Sequence, residues 1–372
     1  MSSVIVHDYH PVPKLIYNHD IMNCTADGVI GNHLYSARAL GITEPWDVIQ
    51  LHSDLKPLWE DIVAHYNRIG LSHTKDVIWY LDLKQLGAHI GYHPSVFYFG
   101  PDEYGNWGDY EWYKAVEFIN SKNNFMSLAN KIGVDIPKTL CFNSVDDVDV
   151  STINDMAFPC YLKAAISVSG VGIYRCENID EMITNLVKFD RDTPVQIQEE
   201  IKTNMFLNLQ YQVVGDELIR LTASEQLLDG FAHQGNRVPA CHAPWESVEK
   251  MAVWLKDHGM KDIFAFDVAV VETDNGVRFP AIECNPRFNG ASYPTLIAQK
   301  LNIPEWSAIT FSTKHNRLDK IDLREIEFDK KTGEGAIIVN WGTVLVGKLM
   351  ILMAGSRGYQ DALKIELEAR LC

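Results

Sequence analysis

The stretch "FPAIECNPRFNGAS", from Phe279 to Ser292, interrupts an apolar run with Glu283, Asn285 and Arg287 at alternating positions. In a strand, residues two apart share a face, so these three side chains point the same way. Upstream, Asp267 sits inside the apolar "IFAFDVAVV". The turn Asp274-Asn275-Gly276 folds the two runs into a hairpin and puts Asp267 and Glu283 on neighbouring strands. Two carboxylates in an apolar sheet repel unless something positive lies between them. Mg²⁺ suits that place, because it takes carboxylate, amide and phosphate oxygens and keeps waters. Asp267, Glu283 and Asn285 are therefore candidate metal ligands, and Arg287 is a cation with a fork suited to phosphate. The plainer reading is an exposed strand end where Arg287 pairs with Glu283.

A phosphate partner is legible upstream in "YLKAAISVSGVGIYRC". Lys163 lies on a strand, and Ser167, Ser169, Gly170 and Gly172 follow it. Small residues let backbone N–H groups approach an anion closely. The loop is neither a P-loop nor a dinucleotide fingerprint. Lys122 opens the helical stretch that ends at Gly133; a lone Lys there also reads as a solvated side chain.

The elements that must position these residues follow from periodicity. Leu55, Leu58, Trp59, Ile62, Val63 and Tyr66 line one helix face that ends at Gly70. "DVIWYL" and "SVFYFG" read as short buried strands, and "GPDEYGNWGDYEW" from Gly100 as a loop at a domain border. Helices are expected over 111–120 and 121–133, and another after Asn178 as its cap. "FPCYLKAA" and "VQIQEEI" read as strands, and a hairpin turns at Gly215-Asp216. Later come a helix over 246–258, one in "ASYPTLIAQKLNI", two apolar strands, a Gly turn at 355–358 and a final helix. Antiparallel hairpins in the middle and later parts make the class α+β, not the steady alternation of a doubly wound sheet.

Composition bounds the function. The 372 residues carry 49 acidic against 33 basic side chains, a net charge of −16. That argues against a nucleic-acid or anionic-membrane binder, which needs clustered Lys and Arg. Seven scattered Cys with no CxxC pair suggest reduced thiols, and the N-terminus shows no secretory pattern. The expectation is a soluble, cytoplasmic protein.

The ordered set "SK…GVDIPKT", "FPCYLKA" with its small-residue loop, "VQIQEEI", "FDV" and "IECNPRFNG" resembles the ATP-grasp superfamily over Ser121 to Leu301. The last piece is close to that family's E-x-N-x-R-x-x-G. The resemblance implies two α+β subdomains clasping ATP, over 116–203 and 204–372, after a divergent α/β domain over 1–115. It implies ATP and Mg²⁺ (or Mn²⁺) as cofactors. Lys122 and Lys163 would contact phosphates, and Ser169, Gly170 and Gly172 would form the loop over them. The backbone of Gln198, Glu199, Glu200 and Ile201 would read adenine. Asp267, Glu283 and Asn285 would hold the metal, and Arg287 would steady the transferring phosphoryl group. The small-residue loop has fewer glycines than many relatives, and no acid after "QEEI" other than Glu200 presents itself for the ribose.

The implied reaction is ATP-dependent joining of a carboxylate to an amine through an acyl phosphate, with an amino acid or peptide as substrate. A homodimer is compatible with it. Other ATP-grasp chemistry, such as phosphotransfer or carboxylate–thiol ligation, stays open, as does a nucleotide-binding regulator without turnover. Arg220, Glu225, His233, Arg237 and Ser292 are the candidate substrate contacts, against a plainer reading as surface polar groups. Cys284, between Glu283 and Asn285, points to the other strand face and reads as packing.

Overall fold

The computed structural model describes residues 13–24, 30–153, 156–167, 172–229 and 232–372. Its strands form three main sheets. Strands β1 (Leu15–Asn18), β2 (Val48–Gln50), β3 (Asp76–Ile78) and β4 (His93–Val96) make a parallel sheet in the order β3-β2-β1-β4. Strands β5 (Thr139–Phe142), β6 (Cys160–Ala164), β7 (Ile173–Cys176) and β8 (Val195–Glu199) make an antiparallel sheet in the order β5-β8-β6-β7.

The largest sheet takes β9 (Phe206–Val214), β10 (Glu217–Asp229), β11 (Ala232–Val238) and β12 (Asp262–Ala269). A small ribbon of β13 (Val271–Thr273) and β14 (Gly276–Arg278) follows, and β15 (Ala281–Asn285) returns beside β12. With β16 (Trp306–Ser312), β17 (Gly335–Asn340) and β18 (Lys348–Ala354), the order is β15-β12-β9-β10-β11-β16-β18-β17.

The helices are α1 (Trp59–Ile69), α2 (Leu83–Ala88), α3 (Pro101–Trp107), α4 (Tyr110–Asn120), α5 (Lys122–Ile132), α6 (Val150–Ile153), α7 (Ile179–Leu186), α8 (Glu249–Asp257), α9 (Ser292–Leu301) and α10 (Arg357–Leu371). α1 stops where Gly70 adopts φ 69°, a left-handed conformation that costs glycine little. α7 begins under Asn178, whose side chain accepts the Glu181 N–H at 3.0 Å.

The stretch from Gly100, expected to be a loop, is helix α3 running almost into α4. Pro101 opens α3 with a φ already suited to a helix, and Glu103 reaches back to accept the Gly100 N–H at 2.9 Å. Gly108, at φ 73°, ends it. The glycines and acids that suggested a loop are the helix's start and stop signals.

Three cores hold these pieces. One joins α1, α9 and α10 to β16, β17 and β18 through Tyr66, Ile297, Trp341 and Leu367. A second packs α4, α5 and α8 on β9 and β12 through Phe125, Met251, Tyr211 and Phe266. A third lies within the small antiparallel sheet with α6 and α7, through Ile153, Cys160, Leu162, Met182 and Ile197. β9 shows how the sequence divides the faces. Leu207, Leu209, Tyr211 and Val213 enter the second core, while Asn208, Gln210 and Gln212 alternate to the other side. That other side carries the candidate site. Among the described residues, no helix is long and apolar enough to cross a membrane.

Candidate functional site

β12 and β15 pair antiparallel with Asp267 directly opposite Glu283, so both carboxylates stand on one face. Asp267 is gripped by three amides from three strands. Asn208 on β9 donates to its Oδ1 at 2.8 Å, Gln226 on β10 donates to the same oxygen at 2.6 Å, and Asn285 donates to Oδ2 at 3.0 Å. Burial, reinforced by repulsion from Glu283, pushes the Asp267 carboxyl up from its ordinary range. Glu283 goes the other way: burial opposes its charge, but Lys122 above all, with Lys163 and Arg287, holds its carboxyl low.

Lys122 is the first residue of α5, and its Nζ lies 3.0 Å from Glu283 Oε2. A cation at a helix N-terminus opposes the helix dipole, so helix stability does not account for its presence. The backbone fixes it: the Lys122 N–H donates to the Ala165 carbonyl at 2.7 Å, tying α5 to the end of β6. Lys163, on β6, donates from Nζ to Gln198 Oε1 at 2.6 Å. Burial pushes its ammonium down to about 8; Glu283 opposes that shift and Lys122 adds to it. Residues of the small sheet and the large sheet thus meet across the start of α5.

Gln198 uses its side chain on Lys163 and on Thr139, at 3.1 Å. Glu199 ties β8 to the chain before β5 by accepting the Lys138 N–H at 2.8 Å. Glu200 is held by Arg175 and by the Tyr161 hydroxyl, at 3.1 Å. With Ile201 these residues form the passage from β8 to β9, between the two sheets. Gly172, at φ 73°, closes the loop base, where its carbonyl accepts the Ala164 N–H at 3.0 Å. Ser169 and Gly170 lie outside the described residues. Arg287 joins the parallel-sheet unit through a backbone bridge to Tyr98. Its guanidinium makes no hydrogen bond or ion pair among the described residues.

The other candidates divide. His233 stands on the cleft face: its Nε2 meets Asn236 Oδ1 at 2.7 Å, and Asn236 donates to Ser224 at 2.9 Å. Burial holds the imidazole below its ordinary range. Arg220, Glu225 and Arg237 are not brought to this face. Glu225 adjoins Gln226 and so points the opposite way, to Arg357 at 2.8 Å. Its register partner Arg237 pairs with Asp361 at 2.8 Å, and Arg220 pairs with Glu249 at 3.0 Å. Ser292 is fully buried, and its hydroxyl accepts the Asn289 N–H at 3.0 Å in the turn before α9. These four have structural partners that sequence order alone does not reveal.

Sequence reasoning missed Asn208 and Gln226, although "LNLQYQ" places amides at period two within an apolar strand. It also missed a small cavity lined by Asn18, Asp20, Cys24, Phe97, Tyr98 and Glu103. This cavity opens at the carboxyl ends of β1 and β4, where the parallel sheet changes direction, the usual ligand crevice of such sheets.

The donor set suits a hard divalent ion. Two carboxylates face the same way, the Asn285 nitrogen serves Asp267, and among the described residues neither the Asn285 amide oxygen nor the buried Asn208 Oδ1 has a hydrogen-bond partner.

No family model and no curated protein matches the sequence. Solved structures match over nearly the whole chain. N5-carboxyaminoimidazole synthetase from Staphylococcus aureus, complexed with ADP, is 11% identical, with a TM-score of 0.61, over 96% of this chain and 98% of that one. Carboxyaminoimidazole ribonucleotide synthase from Aspergillus clavatus, complexed with ATP, is 12% identical, with a TM-score of 0.55, over 90% and 100%. The ribonucleotide synthetase from Thermus thermophilus is 13% identical, with a TM-score of 0.56, over 87% and 98%.

Proposed function

We propose, from the premise that this chain has the ATP-grasp fold, that it is an ATP-dependent ligase joining a carboxylate to an amine. The observation that carries the reading is the convergence of Lys122, Lys163, Glu283, Asp267 and Asn285 from two sheets onto one face. The similar structures bound to ATP and ADP support a nucleotide in this cleft. On this reading the parallel sheet belongs to an acceptor-binding unit over 1–115, and the other two main sheets to ATP-binding units over 116–203 and 204–372.

Phosphoryl transfer asks mainly for positioning and for neutralisation of charge spread over oxygens. Lys163, buried and held by Gln198, aims a cation that needs little reorganisation. Lys122, released from Glu283, supplies a second. The backbone of Gln198 to Ile201 offers adenine its hydrogen bonds. Asp267, Glu283 and Asn285 would hold Mg²⁺ (or Mn²⁺), which supplies charge neutralisation between phosphate oxygens. The uncommitted Arg287 guanidinium stands between this cluster and the parallel-sheet crevice. There it meets the carboxylate being phosphorylated and then the acyl phosphate attacked by the amine. An amino acid or peptide suits a crevice that offers both carboxyl and guanidinium groups.

The test is to incubate the protein with ATP, Mg²⁺ and a panel of carboxylates in the presence of hydroxylamine. A hydroxamate formed together with ADP supports the reading, and Arg287→Ala should lower turnover far more than ATP affinity. ADP release without hydroxamate for any acid, or a phosphorylated product without an amide, would refute it.

A further inference from the structure

Away from the residues above, two imidazoles and a carboxylate converge. His33 is the second residue of a 3-10 helix over Asn32–Ile42. His52 caps a second one over Ser53–Leu58, just after β2, and Asp54 lies in its first turn. His33 Nε2 is 3.2 Å from Asp54 Oδ2, and His52 Nδ1 is 3.5 Å from the same oxygen. Donor atoms of the three residues lie within 4.8 Å of one another, and the two rings meet edge to face at 4.5 Å. The side chains of His33 and His52 are 30% and 34% exposed, so solutes reach them.

His33 Nε2 is within hydrogen-bond distance of Asp54 Oδ2, but the His52 contact to that oxygen is unmatched. His52 Nδ1 accepts the Asp54 N–H at 3.2 Å, which puts the ring proton on Nε2. The same nitrogen therefore faces the Asp54 carboxylate as one acceptor facing another. A cation between them turns that repulsion into two bonds, at the expense of a backbone contact that is already long. The spacing suits such an ion. Tetrahedral bonds of about 2.05 Å separate adjacent donor atoms by about 3.3 Å. The two contacts to Asp54 Oδ2 lie on either side of that value.

We propose that His33, His52 and Asp54 form a site for a zinc-type divalent ion, with water in the fourth position. Two imidazoles and one carboxylate favour Zn²⁺ and its transition-metal neighbours over Mg²⁺ or Ca²⁺, which prefer oxygen alone. The bound ion staples the start of one 3-10 helix to the turn after β2, across 21 residues of chain. It stabilises the parallel-sheet unit without taking part in phosphoryl transfer.

The test titrates the full chain with Zn²⁺ alone by calorimetry, and with Co²⁺ alone by visible absorption. Both use the Glu283→Gln background, so that the acidic pair does not bind the probe. One saturable equivalent, a four-coordinate Co²⁺ spectrum and a rise in melting temperature on adding Zn²⁺ are expected. His33→Ala and Asp54→Asn should each weaken Zn²⁺ binding at least about 10-fold, since even loss of an outer partner of a ligand costs that much. Their metal-free melting temperatures serve as folding controls. No saturable binding in that background, or equal affinity in folded His33→Ala, overturns the proposal.

Discussion

Lys163 makes the proposed nucleotide site sensitive to alkaline pH. Burial pushes its ammonium from an ordinary 10.5 down to about 8. A bound triphosphate supplies the missing counter-charge and returns the ammonium towards its ordinary range. Binding above pH 8 then takes up a proton, and affinity falls as pH rises through the free protein's value. With a free value of about 8, roughly nine-tenths of the molecules carry the charge at about pH 7 and one-tenth at about pH 9, so ATP affinity should drop about 10-fold. Calorimetry in EDTA keeps divalent ions away from Glu283, and paired buffers of different ionisation heat count the protons. Lys163→Arg keeps its charge throughout this range and should flatten the profile. An equal slope in wild type and Lys163→Arg, or no proton uptake at about pH 8.5, would refute the reasoning.

Three further outcomes follow from packing and charge. Lys122→Met strands Glu283 without its main partner and should cost about 2 kcal/mol in urea unfolding. Adding Glu283→Gln should recover part of that loss, whereas strictly additive costs would remove the ion pair from the account. Glu327 accepts from His65 at 2.7 Å and from Arg68, and these contacts overcome burial to hold its carboxyl down at about 2. Because the folded value is depressed, its contribution is present above an unfolded value of about 4.3 and is lost as pH falls towards 2. Glu327→Gln should therefore cost about 3 kcal/mol at neutral pH and progressively less below about pH 4; a penalty that does not change with pH contradicts this. Gly235→Ala would bring a Cβ to 2.0 Å from the Ala308 carbonyl oxygen, forcing β11 from β16. It should cost about 3 kcal/mol or prevent folding, and an unchanged melting temperature would contradict the register.

Local signals explain what the sequence made legible. Asp267 and Glu283 could be set opposite each other because a turn triplet and period-two alternation constrain one hairpin. The end of α1 at Gly70 and the Asn178 cap of α7 are likewise short-range chemistry, whereas Leu55 and Leu58, expected on the same helix, lie in a 3-10 turn over Ser53–Leu58 before α1 starts at Trp59. The sequence was harder to read where one residue type serves two purposes. Glycine and acid mark a loop, but around α3 they mark a helix start and stop. Arg220, Glu225 and Arg237 are polar residues on strands whose opposite face holds the site. Only register with β9 and contact with α8 and α10 decide which face each one joins. The amide grip on Asp267 needs three strands at once, and no window on one strand contains it.

The most direct test is a crystal structure with Mg²⁺ and a non-hydrolysable ATP analogue. The account predicts triphosphate oxygens within hydrogen-bond reach of both Lys122 and Lys163 Nζ, and Mg²⁺ bound by Asp267 and Glu283. A nucleotide seated elsewhere, or an ion distant from both carboxylates, would contradict it.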